Sequence, residues 1–360
     1  MDFSELRAEF PVLRRLAYLN AGTDGPLPGR AVAAAAQELQ RQADEGRAGT
    51  HHEHMFELRK QLRGVYAGLL HCEPRDVALA TCTSEGIAHI VAGLELAAGD
   101  EILTSDEEHP GLLGALAAAR ELRGARVREV PLTQIAESVS PATRLIACCH
   151  VGWMSGSLAP AALTEVDVPV LFDGAQGVGA VPVDVAALAC DAYAGSGQKW
   201  MCGPDGTGML FVSARLRERI AVSRRGYGNL AEPNAGLDAG LHEDARRLDT
   251  FSLGNETLAC ALAASGTLEE AGWDAVQTRG RELAAQLATR LDEAGRTVAP
   301  RGATTLVAFS SADPAAERAR LAEQGVVVRS IPGRPWLRAS VGGWNDEHDL
   351  DRLIAALSPA

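Results

Sequence analysis

Lysine is nearly missing from this 360-residue chain, where two lysines, Lys60 and Lys199, stand against 32 arginines. Cysteine is sparse as well. The seven cysteines show no CxxC or comparable spacing, which excludes a structural zinc site of the usual kind. Their odd number and the adjacent Cys148 and Cys149 inside an apolar run read as reduced, buried thiols, so a cytoplasmic setting is expected. Net positive charge is absent: the formal charge of −13 argues against nucleic acid or an anionic membrane as partner. An anionic small substrate then has to be held by a few local arginines. No apolar stretch approaches the roughly 18 residues of a membrane span, and "MDFSELRAEFPVLRR" is charged from its start, unlike a signal peptide. The expectation is a soluble intracellular protein acting on a small molecule.

What is present is ordinary globular material, 46% apolar and 22% charged, long enough for two packed domains. "RAVAAAAQELQRQADEG" and "HMFELRKQLRGVYAGLL" predict amphipathic helices, the first stopped by Gly46. In "EGIAHIVAGLEL", Ile87, Ile90, Val91 and Leu94 follow the i, i+3, i+4, i+7 pattern of a helix with one buried face. "EILTS", "RVREVPL", "RLIACCHV", "VPVLFDGAQ", "AYAGS" and "GMLFVS" predict strands. Strands that are apolar throughout, in a chain that alternates them with helices, indicate a mostly parallel α/β sheet with helices on both faces. After residue 250 come a long helical stretch, "NETLACALAASGTLEEAG", then "TTLVAFS", "ERARLAEQG", "VVVRSI", "WLRASVG" and "DEHDLDRLIAAL". The expected organisation is a large α/β domain over 16–250 and a small C-terminal α+β domain over 251–360, with residues 1–15 packed against the latter.

In such sheets the chemistry lies beyond the carboxyl ends of the strands, where His109, His150, Asp173 and Lys199 all fall. A carboxylate and a lysine at neighbouring strand ends suit pyridoxal 5′-phosphate (PLP). Its aldehyde needs an amine for the resting Schiff base, which Arg cannot supply. Its ring nitrogen needs a carboxylate to stay protonated, and its phosphate needs hydroxyls and N–H groups at a helix start. "TCTSEG" offers Thr83 and Ser84 for the last of these. Each element alone has an ordinary reading: a strand-end Asp is commonly a turn residue, Thr and Ser are common N-caps, and Lys60 reads as a solvated surface charge. "GPDGTG" and "QGVGAV" lack the strand, helix and distant acid of a dinucleotide fingerprint and read as turns. The ordered set carries the inference.

With those residues in place, the chain resembles the class V aminotransferase group of fold-type I PLP enzymes. Asp173-x-x-Gln176, followed by "SGQKWMCGPDGTG", carries the likeness, which extends from "LAYLNAGTDGPLP" to "WLRASVGGWNDEHDLDRL". The resemblance implies that Lys199 carries PLP, Asp173 pairs with the pyridinium nitrogen and Gln176 bonds the ring hydroxyl oxygen. It implies His109 stacked on the ring, and Thr83, Ser84, Ser196 and Gln198 around the phosphate, with Gln198 replacing the usual His. It also implies a homodimer with sites at the subunit boundary, where a partner hydroxyl, for which Ser252 is the candidate, completes the phosphate cup. Arg338 falls where the family binds the substrate carboxylate.

Residues 325–340, "GVVVRSIPGRPWLRAS", lack the loop cysteine of the cysteine desulfurases. They resemble instead the cyst(e)ine C–S lyases, with arginines nine residues apart, Arg329 and Arg338. "EHPG" at 108–111 and Trp153 in "HVGWMSG" look like the same branch. The two arginines could grip one carboxylate or hold a carboxylate and a second anion, or Arg329 could simply extend to solvent from a strand end. The expectation is α,β-elimination from cystine or an S-substituted cysteine, giving a thiol or persulfide, pyruvate and ammonia, with Lys199 as base and His109 as acid to the sulfur. An epimerase, aminotransferase or decarboxylating deaminase would use the same residues, because the bond broken depends on which one stands perpendicular to the ring. A non-catalytic scaffold is the alternative from outside enzymology.

Overall fold

The structure is a computed structural model that describes residues 1–357. Its strands are β1 (Ala17–Tyr18), β2 (Val77–Ala80), β3 (Glu101–Ser105), β4 (Arg126–Val130), β5 (Thr143–Cys149), β6 (Val170–Asp173), β7 (Ala192–Ser196), β8 (Gly208–Val212), β9 (Leu306–Ser310), β10 (Val326–Val327), β11 (Arg329–Ser330) and β12 (Trp336–Ser340). Seven of them form the main sheet in the order β2-β8-β7-β6-β5-β3-β4. The pairings from β7 to β4 are parallel and both pairings of β8 are antiparallel, so β8 alone runs against the rest. It can, because the loop from β7 is tight enough for an antiparallel return. "GPDGTG" forms that turn, with Gly206 at φ 82°.

Both faces of the sheet are buried, as uniformly apolar strands require. Phe172, Tyr193, Met209 and Phe211 point into one core with Ile146 and Cys148. Their neighbours Leu145, Ala147, Leu171, Ala192 and Leu210 enter a second core on the opposite face with Ile87 and Leu112. Six strands expected from sequence are present within three residues of their predicted ends. The predicted first helix runs over Gly29–Glu45 and ends at Gly46, φ 77°. The helix Thr83–Gly93 stops one residue short of Leu94, which is buried all the same.

Elsewhere the elements differ from the sequence expectation. "VVVRSI" does not form one strand. It splits around Val328 into β10, paired in parallel with β1, and β11, paired antiparallel with β12. The strands β1 and β2 and the helix Trp273–Glu293 were not foreseen. Packing also cuts across the expected boundaries at 16 and 250. Ala17 pairs with Val326, and Asn20 bridges to Ser340 in the C-terminal part. Leu253, Leu258, Ala261 and Leu268, after residue 250, share the core that holds Leu62 and Tyr66. The N-terminal turn is tied down by Arg7, which donates to both carboxylate oxygens of Asp349 at 2.7 and 3.1 Å, and by Phe10 against Trp344. Among the described residues, no helix is long and apolar enough to cross a membrane.

Candidate active site

Strand order reverses at β5, whose neighbours are β3 on one side and β6 on the other. Beyond the carboxyl ends of β6 and β7 lies a cavity of about 210 Å3. Eleven of the thirteen residues singled out from sequence line it: Thr83, Ser84, His109, Trp153, Asp173, Gln176, Ser196, Gln198, Lys199, Arg329 and Arg338. His150 does not; it is buried with Nδ1 3.0 Å from the Tyr193 hydroxyl. Larger hollows of about 600 and 500 Å3 lie elsewhere, over Arg59 and beside Trp273, and neither collects the strand-end residues. Ser252 is exposed and lines a separate hollow with Glu85, Arg224 and Tyr227; it is not among the residues that line the cavity of its own chain. Lys60 is a surface residue, 81% exposed.

Asp173 ends β6 buried, and its Oδ1 accepts from the Ala175 N–H at 3.0 Å. Burial raises its pKa and the Lys199 charge works against that rise. Burial also lowers the Lys199 amine to about 8, with Asp173 opposing and Arg338 reinforcing the shift. Each of these two groups therefore limits the other's departure from its charged form. Gln176 is oriented from both sides: Trp200 Nε1 donates to its Oε1 at 3.0 Å, and its Nε2 donates to the Gly22 carbonyl at 2.7 Å. One amide N–H remains to face the cavity.

The helix Thr83–Gly93 opens at the cavity, so the unpaired N–H groups of its first turn face inward. Ser196 Oγ links this turn to β7, accepting from the Thr83 N–H at 3.0 Å and lying 2.6 Å from Thr83 Oγ1. Gln198 Oε1 is buried without a partner among the described residues. His109 is the N-cap of the helix Pro110–Arg123, its Nδ1 accepting from the Gly111 N–H at 3.0 Å. That bond puts the ring proton on Nε2. Burial and the cations Lys199, Arg329 and Arg338 hold its pKa down at about 4. The ring meets Trp153 edge-on at 5.2 Å.

The nine-residue spacing of the arginines is explained by register: Arg329 on β11 and Arg338 on β12 are direct cross-strand partners. Like charges so placed repel, and burial together with Arg329 lowers the Arg338 pKa to about 9. Arg338 is fully buried, donates to the Trp153 carbonyl at 2.6 Å and leaves Nε without a partner. Arg329 lies over the Trp153 ring at 5.5 Å. Neither forms an ion pair with a carboxylate among the described residues, although an unpaired buried guanidinium is costly. The pair is a ready receptor for an anion. Sequence reasoning did not single out Gly22, Thr23 and Cys82, which also line the cavity. Gly22 is needed there, because a Cβ would stand 2.7 Å from Ser340 Oγ and 2.9 Å from both Arg338 Nη2 and Gln176 Oε1.

A seven-stranded sheet with one reversed strand, and a lysine and a carboxylate meeting beyond its strand ends, define an α/β enzyme scaffold of fold-type I. The open helix start at Thr83, with the partnerless amide of Gln198, Lys199 and the buried Asp173, suits an anionic cofactor, which these residues fit. The chain belongs to the aminotransferase class-V family, whose model matches residues 17–353. It is 30% identical to the isopenicillin N epimerase of Streptomyces clavuligerus, over 99% of this chain and 98% of that protein. It is 33% identical to a cysteine desulfurase of Klebsiella pneumoniae over 64% of this chain and 63% of that one. Among solved structures, a variant of C-DES with glycine covalently linked to its PLP cofactor superposes with a TM-score of 0.92 at 26% identity, covering 98% of this chain and 99% of the other. The complex of the cystine C–S lyase C-DES with its product cysteine persulfide superposes at 0.91 and 26% identity, covering 96% and 98%.

Proposed function

We propose that this PLP-dependent enzyme is a carbon–sulfur β-lyase acting on cystine or an S-substituted cysteine. The observation that carries the reading is the Arg329–Arg338 pair, two facing guanidiniums without a carboxylate, beside a loop that contains no cysteine. Such a pair accepts an α-carboxylate bidentately, and without the cysteine there is no loop thiol to take sulfur off the substrate. Likeness to C-DES over almost the whole chain supports the same reading.

Bound in this cavity, the cofactor would supply the electron sink that makes the substrate Cα–H acidic. The Asp173 carboxylate would hold the ring nitrogen protonated, and Gln176 Nε2 would donate to the ring oxygen. Thr83, Ser84, Ser196 and Gln198 would hold the phosphate at the helix start. Lys199 Nζ, its pKa near 8, is suited to take the Cα proton near neutrality. His109 fits a different role from the acid expected of it. A ring with a pKa of about 4 is neutral, so Nε2–H would be a hydrogen-bond donor over the cofactor face, and a persulfide or thiolate would leave as its anion. The working unit we propose is a homodimer in which the partner's Ser252 reaches the phosphate.

A second reading, epimerisation at an amino-acid Cα, is favoured by the 30% identity to isopenicillin N epimerase over nearly the full length of both chains. The test is one incubation of the PLP-loaded protein with L-cystine. Stoichiometric pyruvate, ammonia and persulfide are the expected products. D-cystine without pyruvate would replace the lyase by the epimerase. In a second incubation, with L-cysteine in place of L-cystine, alanine and enzyme-bound persulfide would restore the desulfurase.

A further inference from the structure

Thr23 sits in the tight turn after β1, where its N–H donates to the Asn20 carbonyl at 2.9 Å. Its hydroxyl makes three contacts. Oγ1 donates to Asn20 Oδ1 at 2.9 Å and accepts from Arg329 Nη1 at 3.2 Å and, more loosely, from Arg338 Nη2 at 3.5 Å. A hydroxyl has one proton and two lone pairs, so this inventory is complete. With the proton committed to Asn20, both lone pairs face the two guanidiniums. Asn20 is itself fixed, through its bridge to Ser340 on the strand that carries Arg338.

We propose that Thr23 is a positioning residue that holds Arg329 and Arg338 convergent before the substrate carboxylate arrives. Two cations across adjacent strands repel, and without a ligand each side chain would turn away from the other. An acceptor shared between them replaces part of the missing anion. It leaves the Nε edge of Arg338, which has no partner, free for the carboxylate. Reorganisation that would otherwise occur on binding is thus completed on folding, which is how preorganisation raises affinity. The inference rests on the reading that the pair binds the substrate carboxylate; it does not depend on which bond is then broken.

The test is spectral titration of the PLP-loaded protein with L-alanine and, separately, with L-alaninamide, which has the amine but no carboxylate. Thr23→Val keeps the shape and removes the hydroxyl, and should weaken L-alanine about tenfold, as expected for losing a hydrogen bond to charged groups. L-Alaninamide binding and the resting cofactor spectrum should stay as in the wild type. Thr23→Ser should restore L-alanine affinity. For L-cystine turnover the loss should fall on KM, with kcat nearly unchanged. Asn20→Ala, a second variant should Thr23→Val fold poorly, frees the hydroxyl proton and should shift the same titration in the same direction by less. Equal weakening of both ligands, unchanged L-alanine binding, or no rescue by Ser would each overturn the proposal. If wild-type protein forms no pyruvate from L-cystine while the titrations behave as described, the lyase reading fails and Thr23 keeps its role. If the wild type does not distinguish alanine from its amide, the carboxylate receptor and Thr23 fall together.

Discussion

Burial lowers the Lys199 amine to about 8, and of the charges near it Asp173 pulls upward while Arg338 pushes further down. Only the neutral amine attacks an aldehyde. Its share grows with pH until the pKa is passed and then levels off. The protein freed of cofactor should therefore recapture PLP faster as pH rises to about 8, and no faster beyond it. The growth of the visible band after mixing reads this rate. A rate that kept climbing toward the ordinary lysine value of 10.5 would mean that the amine is not buried as described. The sign for stability follows: the depressed pKa burdens the cofactor-free fold fully below about 8, and the burden is relieved as pH rises toward 10.5. Lys199 was legible because so few lysines compete with it and because it follows an apolar strand. Thr23 was not. A threonine in a turn is unremarkable in sequence, and its two arginine partners lie some 300 residues away, joined to it only by strand register.

At the scale of elements, the main sheet has an edge that needs closing. The edge strand β2 is buried along its whole length, because a segment that is not a strand covers it. Thr250 N–H donates to the Leu79 carbonyl at 2.8 Å, and the Leu79 N–H donates to Asp249 Oδ1 at 2.9 Å. Asp249 is held in turn by Arg59 at 2.8 Å and Arg63 at 2.7 Å, all three buried. An open edge invites pairing with another chain. Asp249→Ala would leave two buried guanidiniums with backbone carbonyls but no carboxylate, and the Leu79 N–H without its acceptor. The expected cost is about 3–5 kcal/mol, measured by denaturant unfolding and accompanied by aggregation. A loss below about 1 kcal/mol, the scale of an exposed ion pair, would remove the latch from this account. β2 escaped sequence reading because "VALA" is short and half alanine, with little β-branched signal. The helix Trp273–Glu293 escaped for a related reason. Its buried face, Val276, Leu283, Leu287 and Leu291, is interrupted by Gly280, which approaches the Val341 carbonyl, so the stripe is broken in its first half.

For the whole molecule, the position of Ser252 outside its own chain's cavity makes the proposed dimer testable. Ser252→Ala and Lys199→Ala chains, each impaired alone, should form mixed dimers with one intact site, recovering cofactor retention and turnover at that site. Mixtures no better than the sum of the two variants would place the missing phosphate contact within a single chain. One feature of the fold bears on how such a chain is made. β1 finds its partner β10 more than 300 residues downstream, and Arg7 finds Asp349 later still. On the ribosome, the turn that bears Gly22 and Thr23 emerges among the first residues; Gly22 can meet Gln176 midway, but Thr23 must wait for nearly the last residues before it has its arginines to hold. Lys199, Asp173 and the helix start proposed to hold the phosphate have all been made long before. The residues proposed to keep a cofactor are thus made well ahead of those proposed to choose a substrate, which arrive only as synthesis ends.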